Sequence, residues 1–261
     1  MSMSLPELER ALRALRLSGM IPALQIRAHQ VAGHELNFLE AVSCLVQDEL
    51  DRRRSRLLER RFAQSGLPHR KDLKDFDWGY NPKVPKRRIL ELATLKFIEA
   101  REGAFFLGKP GLGKSHAAKA IATLAVQHGY TVVYREAHVL LAELNEAREL
   151  GELRKYQALL KSAELLVIDD LFLRKLPASA GDELADVLMS RYEKLSTLLT
   201  SNRDIEDWPK LLGDAVVVTP LLDRLMHHGH MVLFEGKSWR LKEAAERLKR
   251  ATKDASKSGQ E

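Results

Sequence analysis

The chain has a single cysteine, Cys44, in 261 residues. One thiol excludes an intrachain disulfide and a cysteine-based zinc site. Its sequence neighbours Leu36, Leu39, Val42, Leu45 and Val46 are apolar, which predicts a buried, unreactive thiol. No apolar run is long enough to span a bilayer, and the first residues lack a secretion-signal pattern. The expectation is therefore a cytoplasmic protein with no membrane partner. Internal repeats are not evident. There is no acidic excess either: 42 Lys and Arg stand against 36 Asp and Glu, a formal charge of +6. That balance favours an anionic partner such as nucleic acid, although the distribution of charge counts for more than its sum.

Hydrophobic residues at 45% and charged residues at 30% describe an ordinary globular chain, long enough for one large α/β domain and a smaller one. Residues 1–75 contain helices and no strand candidate. Leu5, Leu8, Leu12, Leu15 and Leu17 fall near helical spacing until Ser18-Gly19-Met20-Ile21-Pro22 breaks the pattern. A second helix starts near Pro22 and is interrupted at Gly33. Asn37 with Glu40 three residues on has capping-box spacing, opening a third helix that runs to about Gly66. Pro68 to Pro85 mixes Pro, Gly, Asp and aromatics, and reads as a linker.

Beyond Lys86 the pattern alternates between helix and strand. Strands are predicted at Ala104–Leu107, Thr131–Tyr134, Leu165–Ile168, Thr197–Thr200 and Met231–Phe234. Helices are predicted at Ser115–His128, at Ala137–Leu160 with a break at Gly151, and at Ser179–Lys194. Continuous apolar strands separated by helices indicate a parallel sheet covered on both faces. After Arg240 comes a charged helix expected to fray from Lys253 onward, leaving 251–261 a disordered tail.

Gly108-Lys109-Pro110-Gly111-Leu112-Gly113-Lys114-Ser115 satisfies the pattern G-x-x-x-x-G-K-[ST] between a predicted strand and a predicted helix. Glycines let backbone N–H groups turn inward around phosphate oxygens, and the helix presents its positive end to them. Lys114 is placed for the β- and γ-phosphates of ATP, and Ser115 for Mg2+; His116 completes the expected nucleotide-binding set. Leu165-Leu166-Val167-Ile168-Asp169-Asp170 is an apolar strand ending in two carboxylates. Asp169 is assigned to Mg2+, directly or through water, and Asp170 to the attacking water. Asn202 ends the next strand as a polar sensor beside Asp170.

Further candidates are less local. Arg224, in Asp223-Arg224-Leu225, fits an arginine finger acting on a neighbouring subunit, or a surface ion pair. Arg240 is a weaker phosphate-sensing candidate. Phe76 and Trp78 are placed to stack on a base or to anchor the linker. His227, His228 and His230 are not expected to converge on a metal ion, since adjacent histidines rarely do and no acidic partner is expected nearby. Arg52, Arg53, Arg54, Arg56, Arg60 and Arg61 on the third helix are candidate DNA contacts, partly offset by Asp48, Glu49, Asp51 and Glu59.

These elements in this order resemble an AAA+ ATPase, and more closely the IstB-like helper ATPases of bacterial insertion sequences. The resemblance extends to Leu15-Arg16-Leu17-Ser18-Gly19-Met20, Leu199-Thr200-Ser201-Asn202, Leu222-Asp223-Arg224-Leu225 and Gly236-Lys237-Ser238-Trp239-Arg240. DnaC-type helicase loaders share the ATPase blocks but are less similar at the N-terminus. The resemblance implies a P-loop core of parallel sheet between helices (76–250), a small all-helical N-terminal domain for DNA binding and oligomerisation (1–75), and no full C-terminal lid. It also implies an ATPase with ATP and Mg2+ as cofactors. That ATPase would form ATP-dependent homo-oligomers on double-stranded DNA in the bacterial cytoplasm, near the nucleoid, and assist a transposase in choosing target DNA. Lys114, Ser115, Asp169, Asp170, Asn202 and Arg224 carry over as its working residues. Asp170 stands where many AAA+ members have Glu, and the shorter side chain predicts slow hydrolysis; the resemblance implies that DNA stimulates it. A helicase loader and a metabolic P-loop kinase are the other readings; the kinase lacks an acceptor signature.

Overall fold

The computed structural model describes residues 3–171, 178–208 and 215–258. They form two compact units, Met1–Arg61 and Phe62–Glu261.

The first unit contains α1 (Leu5–Ala14), α2 (Ile21–Ala32) and most of α3 (Phe38–Ser65). The capping box predicted for α3 is formed: the Asn37 N–H donates to Glu40 Oε2 at 2.7 Å, and the Glu40 N–H donates to Asn37 Oδ1 at 2.9 Å. The turn between α1 and α2 is tied to α3 by charge-assisted bonds. Glu49, buried, accepts from the Gly19 N–H at 2.6 Å. The Arg52 guanidinium donates to the Ser18 carbonyl, and Arg53 donates to the Arg16 carbonyl at 2.9 Å and to Glu49 at 2.6 Å. Cys44 is half-buried, contrary to the expected burial, because Leu39, Val42 and Val46 around it stay exposed.

The second unit is built on five parallel strands: β1 (Gly103–Gly108), β2 (Val132–Glu136), β3 (Leu165–Leu171), β4 (Ser196–Ser201) and β5 (Gly229–Phe234). Their order in the sheet is β2-β3-β4-β1-β5. Phe105 pairs with Leu199 on one side and Met231 on the other, so β1 lies between β4 and β5. Consecutive residues of β1, β3 and β4 are buried, and since neighbours point to opposite faces, both faces are covered. One face gathers Phe105, Leu107, Leu166, Ile168 and Leu199 against α7 (Ala137–Glu149), α8 (Leu153–Ser162), α9 (Ala178–Arg191) and α10 (Ala215–His227). On the other, α6 (Lys114–Gln127) contacts β1, β2, β3 and β4. Its buried Ala117, Ala118, Ala120, Ala122 and Ala125 keep it close enough to lie across four strands, which sets its N-terminus at the carboxyl ends of β1, β3 and β4.

Short α4 (Lys86–Leu92) and α5 (Lys96–Glu99) precede β1, and α11 (Trp239–Ser258) follows β5. α11 extends to Ser258, past Lys253 where fraying was expected; its Ala and Lys residues are strong helix formers, and 259–261 of the expected tail lie outside the described residues. Residues 62–75, grouped by sequence with the N-terminal helices, belong to the second unit. Buried Phe62 lies under the Arg70 guanidinium at 3.9 Å, and Leu73 is buried. Among the described residues no helix is long and apolar enough to cross a membrane.

Candidate nucleotide-binding site

A cavity of about 260 Å³ opens at the carboxyl ends of the strands, where parallel α/β sheets bind ligands. Pro110, Gly111, Leu112, Gly113, Lys114, Ser115 and His116 line it together with Asp170, Asn202 and Arg240. Gly113 has φ +97, and a Cβ there would lie 2.6 Å from the Phe76 ring. Both the backbone and the close approach therefore require glycine. Gly108 closes β1, and Lys109 follows it.

Lys114 is 3% exposed. Its ammonium donates to the carbonyls of Gly108 at 2.6 Å and Lys109 at 2.9 Å, and to Asn202 Oδ1 at 2.6 Å. All three acceptors are neutral, and none of the bonds goes to a carboxylate. Burial pulls the Lys114 pKa down to about 8, against the opposing pull of Asp170 and Asp169. A buried cation bonded only to neutral oxygens, at the foot of a cavity, is a site for an anion.

Asp169 and Asp170 diverge, because the β3–β4 register shifts between Ile168 and Leu171. This irregularity turns Asp170 into the cavity with φ +56 and leaves Asp169 buried behind it. The Asp169 carboxylate accepts from Tyr134 Oη at 2.6 Å and Thr200 Oγ1 at 2.5 Å. Asn202 Nδ2 donates to Asp170 Oδ1 at 3.3 Å, so a single amide links Lys114 to Asp170. Burial and the neighbouring Asp169 charge raise the Asp170 pKa, opposed by Lys114 and Arg240.

Arg224 is not among the residues lining this cavity. It lines a small cleft with Gly103, Leu195, Thr197 and His228, at the amino ends of the strands, and its Nη1 lies 3.8 Å from Met189 Sδ. Within one chain it is therefore remote from the phosphate loop. The histidines do have acidic neighbours, contrary to expectation: His230 Nε2 lies 2.7 Å from Glu102 and His228 Nε2 lies 3.4 Å from Glu193. Long-range folding brings Glu102 to His230 on β5 and Glu193 to His228 just before it. Of the helix arginines, Arg52 and Arg53 are engaged with the α1–α2 turn, and Arg54 lies 3.6 Å from Asp51. Arg56 and Arg60 are exposed, and Arg61 is half-buried.

The segment read as a linker supplies the cavity's other wall: Asp75, Phe76, Asp77, Tyr80 and Asn81. Phe76 stacks near Trp78 at 4.4 Å and edge-on to His116 at 5.4 Å. Asn81 brackets Lys237, accepting from its N–H at 2.8 Å and donating to its carbonyl at 2.6 Å. The Trp239 N–H donates to the Gly111 carbonyl at 2.8 Å, so the first turn of α11, which bears Arg240, is bonded directly to the phosphate loop. Only the Gly-Lys-Ser-Trp-Arg block hinted at this in the sequence; the Asp75–Asn81 wall gave no local signal beyond its aromatics.

A phosphate loop after β1, a carboxylate pair on β3 and a polar residue just past β4, the strand between them, define an AAA+ P-loop nucleotide-binding core. The chain belongs to the IstB-like ATP binding protein family, whose profile matches residues 10–247. It is 34% identical over 229 residues to the insertion sequence IS5376 putative ATP-binding protein of Geobacillus stearothermophilus, covering 88% of this chain and 91% of that one. Similarity to the IS21 putative ATP-binding protein of Pseudomonas aeruginosa is 35% over 237 residues, covering 91% and 89%. Among solved structures, AMPPCP-bound DnaA from Aquifex aeolicus superposes with a TM-score of 0.55 at 25% identity, over 71% of this chain. This chain spans 56% of that DnaA. DnaI superposes at the same TM-score with 20% identity, over 64% of this chain and 92% of DnaI, a likeness of fold.

Proposed function

We propose that this protein is an ATP-dependent DNA-binding regulator that oligomerises on duplex DNA, hydrolyses ATP slowly, and assists a transposase in selecting target DNA. The buried Lys114 ammonium, bonded only to neutral acceptors, carries the nucleotide half of this reading. The transposition half draws on relatives that are insertion-sequence ATP-binding proteins.

In this reading the ATP phosphates lie over the N-terminus of α6, with the γ-phosphate at Lys114. The oxygen donors fit a magnesium ion: the Ser115 hydroxyl lines the cavity, and the Asp169 carboxylate stands behind Asp170. When bound, Mg2+ neutralises charge on the β- and γ-phosphates. Asp169 would act on the ion through a water molecule, because its buried carboxylate does not line the cavity. Asp170 orients the water that attacks the γ-phosphorus, and the β–γ bridge oxygen leaves with ADP. Asn202 holds Asp170 and Lys114 in one frame. Arg224 serves a neighbouring subunit's γ-phosphate, so oligomerisation and hydrolysis are coupled. Arg56 and Arg60 contact DNA phosphates without reading sequence.

Electron microscopy and filter binding with duplex DNA and a non-hydrolysable ATP analogue test this. Expected are multi-subunit assemblies that need nucleotide and weaken steeply with salt, and hydrolysis stimulated by duplex DNA. A chain that binds no duplex at low salt, with or without nucleotide, defeats the DNA assignment. Preference for single strands together with a stable complex with a hexameric helicase would make it a helicase loader instead.

A further inference from the structure

The irregularity in β3 creates two needs that a regular strand does not have. A carboxylate is buried, with Asp169 only 1% exposed, and it requires hydrogen-bond donors. The next residue, Asp170, takes a left-handed backbone at φ +56, which an L-residue adopts at a cost unless it is held there. One side chain meets both needs. Thr200 Oγ1 gives its hydrogen to Asp169 Oδ1 at 2.5 Å and accepts the Asp170 N–H at 2.8 Å. That N–H thus bonds a side chain where a regular strand would pair it with backbone. A hydroxyl combines donor and acceptor on one atom, and at this reach from β4 only Thr or Ser provides it. Tyr134 on β2 holds the other Asp169 oxygen at 2.6 Å.

We propose that Thr200 is a positioning residue for ATP hydrolysis, with Tyr134 as its second. Thr200 fixes Asp169 and, through the same oxygen, sets the backbone of Asp170 so that its carboxylate projects into the cavity beside Asn202. Thr200 is fully buried and is not among the residues lining the cavity, so it acts through Asp170 and not on the nucleotide. Its loss affects turnover and spares binding. The inference rests on reading the cavity as the ATP site.

Thr200→Val keeps the shape and removes the hydroxyl; Thr200→Ser keeps the hydroxyl; Tyr134→Phe removes only the second hold on Asp169. Three quantities are measured on the full chain: site-resolved hydrogen exchange of the Asp170 amide without nucleotide, KM for ATP, and kcat. Thr200→Val is expected to speed Asp170 exchange about tenfold and to cut kcat about tenfold or more, with KM within about twofold. Thr200→Ser restores both to near wild type. Tyr134→Phe leaves Asp170 exchange slow and lowers kcat several-fold. If Thr200→Val does not fold, Thr200→Cys replaces it, a weak donor and acceptor of similar size, with intermediate turnover expected. Wild-type exchange and kcat in the Val or Cys variant, or failure of Ser to restore them, overturns the proposal. A wild-type chain that hydrolyses no ATP overturns the cavity reading and this proposal together. That result is distinct from an active wild type that Thr200→Val leaves unchanged, which overturns the proposal alone.

Discussion

Lys114 and the arginine run of α3 are both concentrations of positive charge, held in opposite ways. Lys114 is a single cation, buried, with three neutral oxygens around its ammonium. The arginines are many and mostly exposed, and three of them bond to a carboxylate or to backbone carbonyls of their own unit. Burial strips water from Lys114 and pulls its pKa down to about 8 against the nearby charges of Asp170 and Asp169, whereas water and Glu49 or Asp51 already satisfy much of the arginine charge. The number of cations in a segment is thus a poor guide to anion affinity. What counts is how far each cation lacks a counter-charge.

The largest expected effect removes the contrast altogether. Lys114→Ala should weaken ATP binding by on the order of a hundredfold or more, because a charge-assisted bond in a water-poor site is lost. Titration with a fluorescent ATP analogue reads this, and retained affinity would remove Lys114 from the site. A subtler change makes Lys114 resemble the arginines. Asn202→Asp puts a carboxylate of nearly the same shape directly on the ammonium, and replaces the amide's bond to Asp170 with like-charge repulsion. ATP affinity should fall roughly tenfold, since the ammonium is then neutralised before nucleotide arrives. An unchanged affinity would mean that the lack of a counter-charge is not what draws the phosphate.

The same feature has a pH signature. Below a pH of about 8 Lys114 carries its charge in the folded, nucleotide-free chain; above it, ATP binding must first take up a proton. Affinity should therefore drop about threefold between pH 7.5 and 8.5. Stability of the nucleotide-free chain moves the other way. Between about 8 and the ordinary lysine value of 10.5 the unfolded chain binds the extra proton, so this group's contribution to stability rises with pH across that window. Lys114→Met should flatten both trends, and a trend that survives it belongs to another group.

The two regions also differ in how much of each was legible in the sequence. The five strands and the phosphate loop were readable because their signals are local: apolar runs, a glycine spacing, a lysine at a fixed step. The register shift at Asp169–Asp170 was not, since it arises from pairing with β4 and a hydroxyl thirty residues away. Nor was the cavity wall from Asp75 to Asn81. Its hold on the loop before α11 runs from Asn81 to Lys237, a separation at which composition says only that the segment is irregular. On α3 the capping box was readable, but a row of arginines looks the same whether it faces solvent or pins a turn.

That ambiguity sets the smallest and most discriminating prediction. Arg52 and Arg53 bond the α1–α2 turn, while Arg56 and Arg60, one helical turn apart, are exposed. Arg52→Ala should lower the stability of the first unit by about 1 kcal/mol, seen as a lower melting temperature, with no change in the salt dependence of DNA binding. Arg56→Ala and Arg60→Ala should leave melting unchanged. Each should reduce the slope of log affinity against log salt by about one, the mark of a single lost phosphate contact. If Arg52→Ala changes the slope and Arg56→Ala does not, the arginines bonded within the unit are the ones that meet DNA, and the turn they hold must open for them to do so.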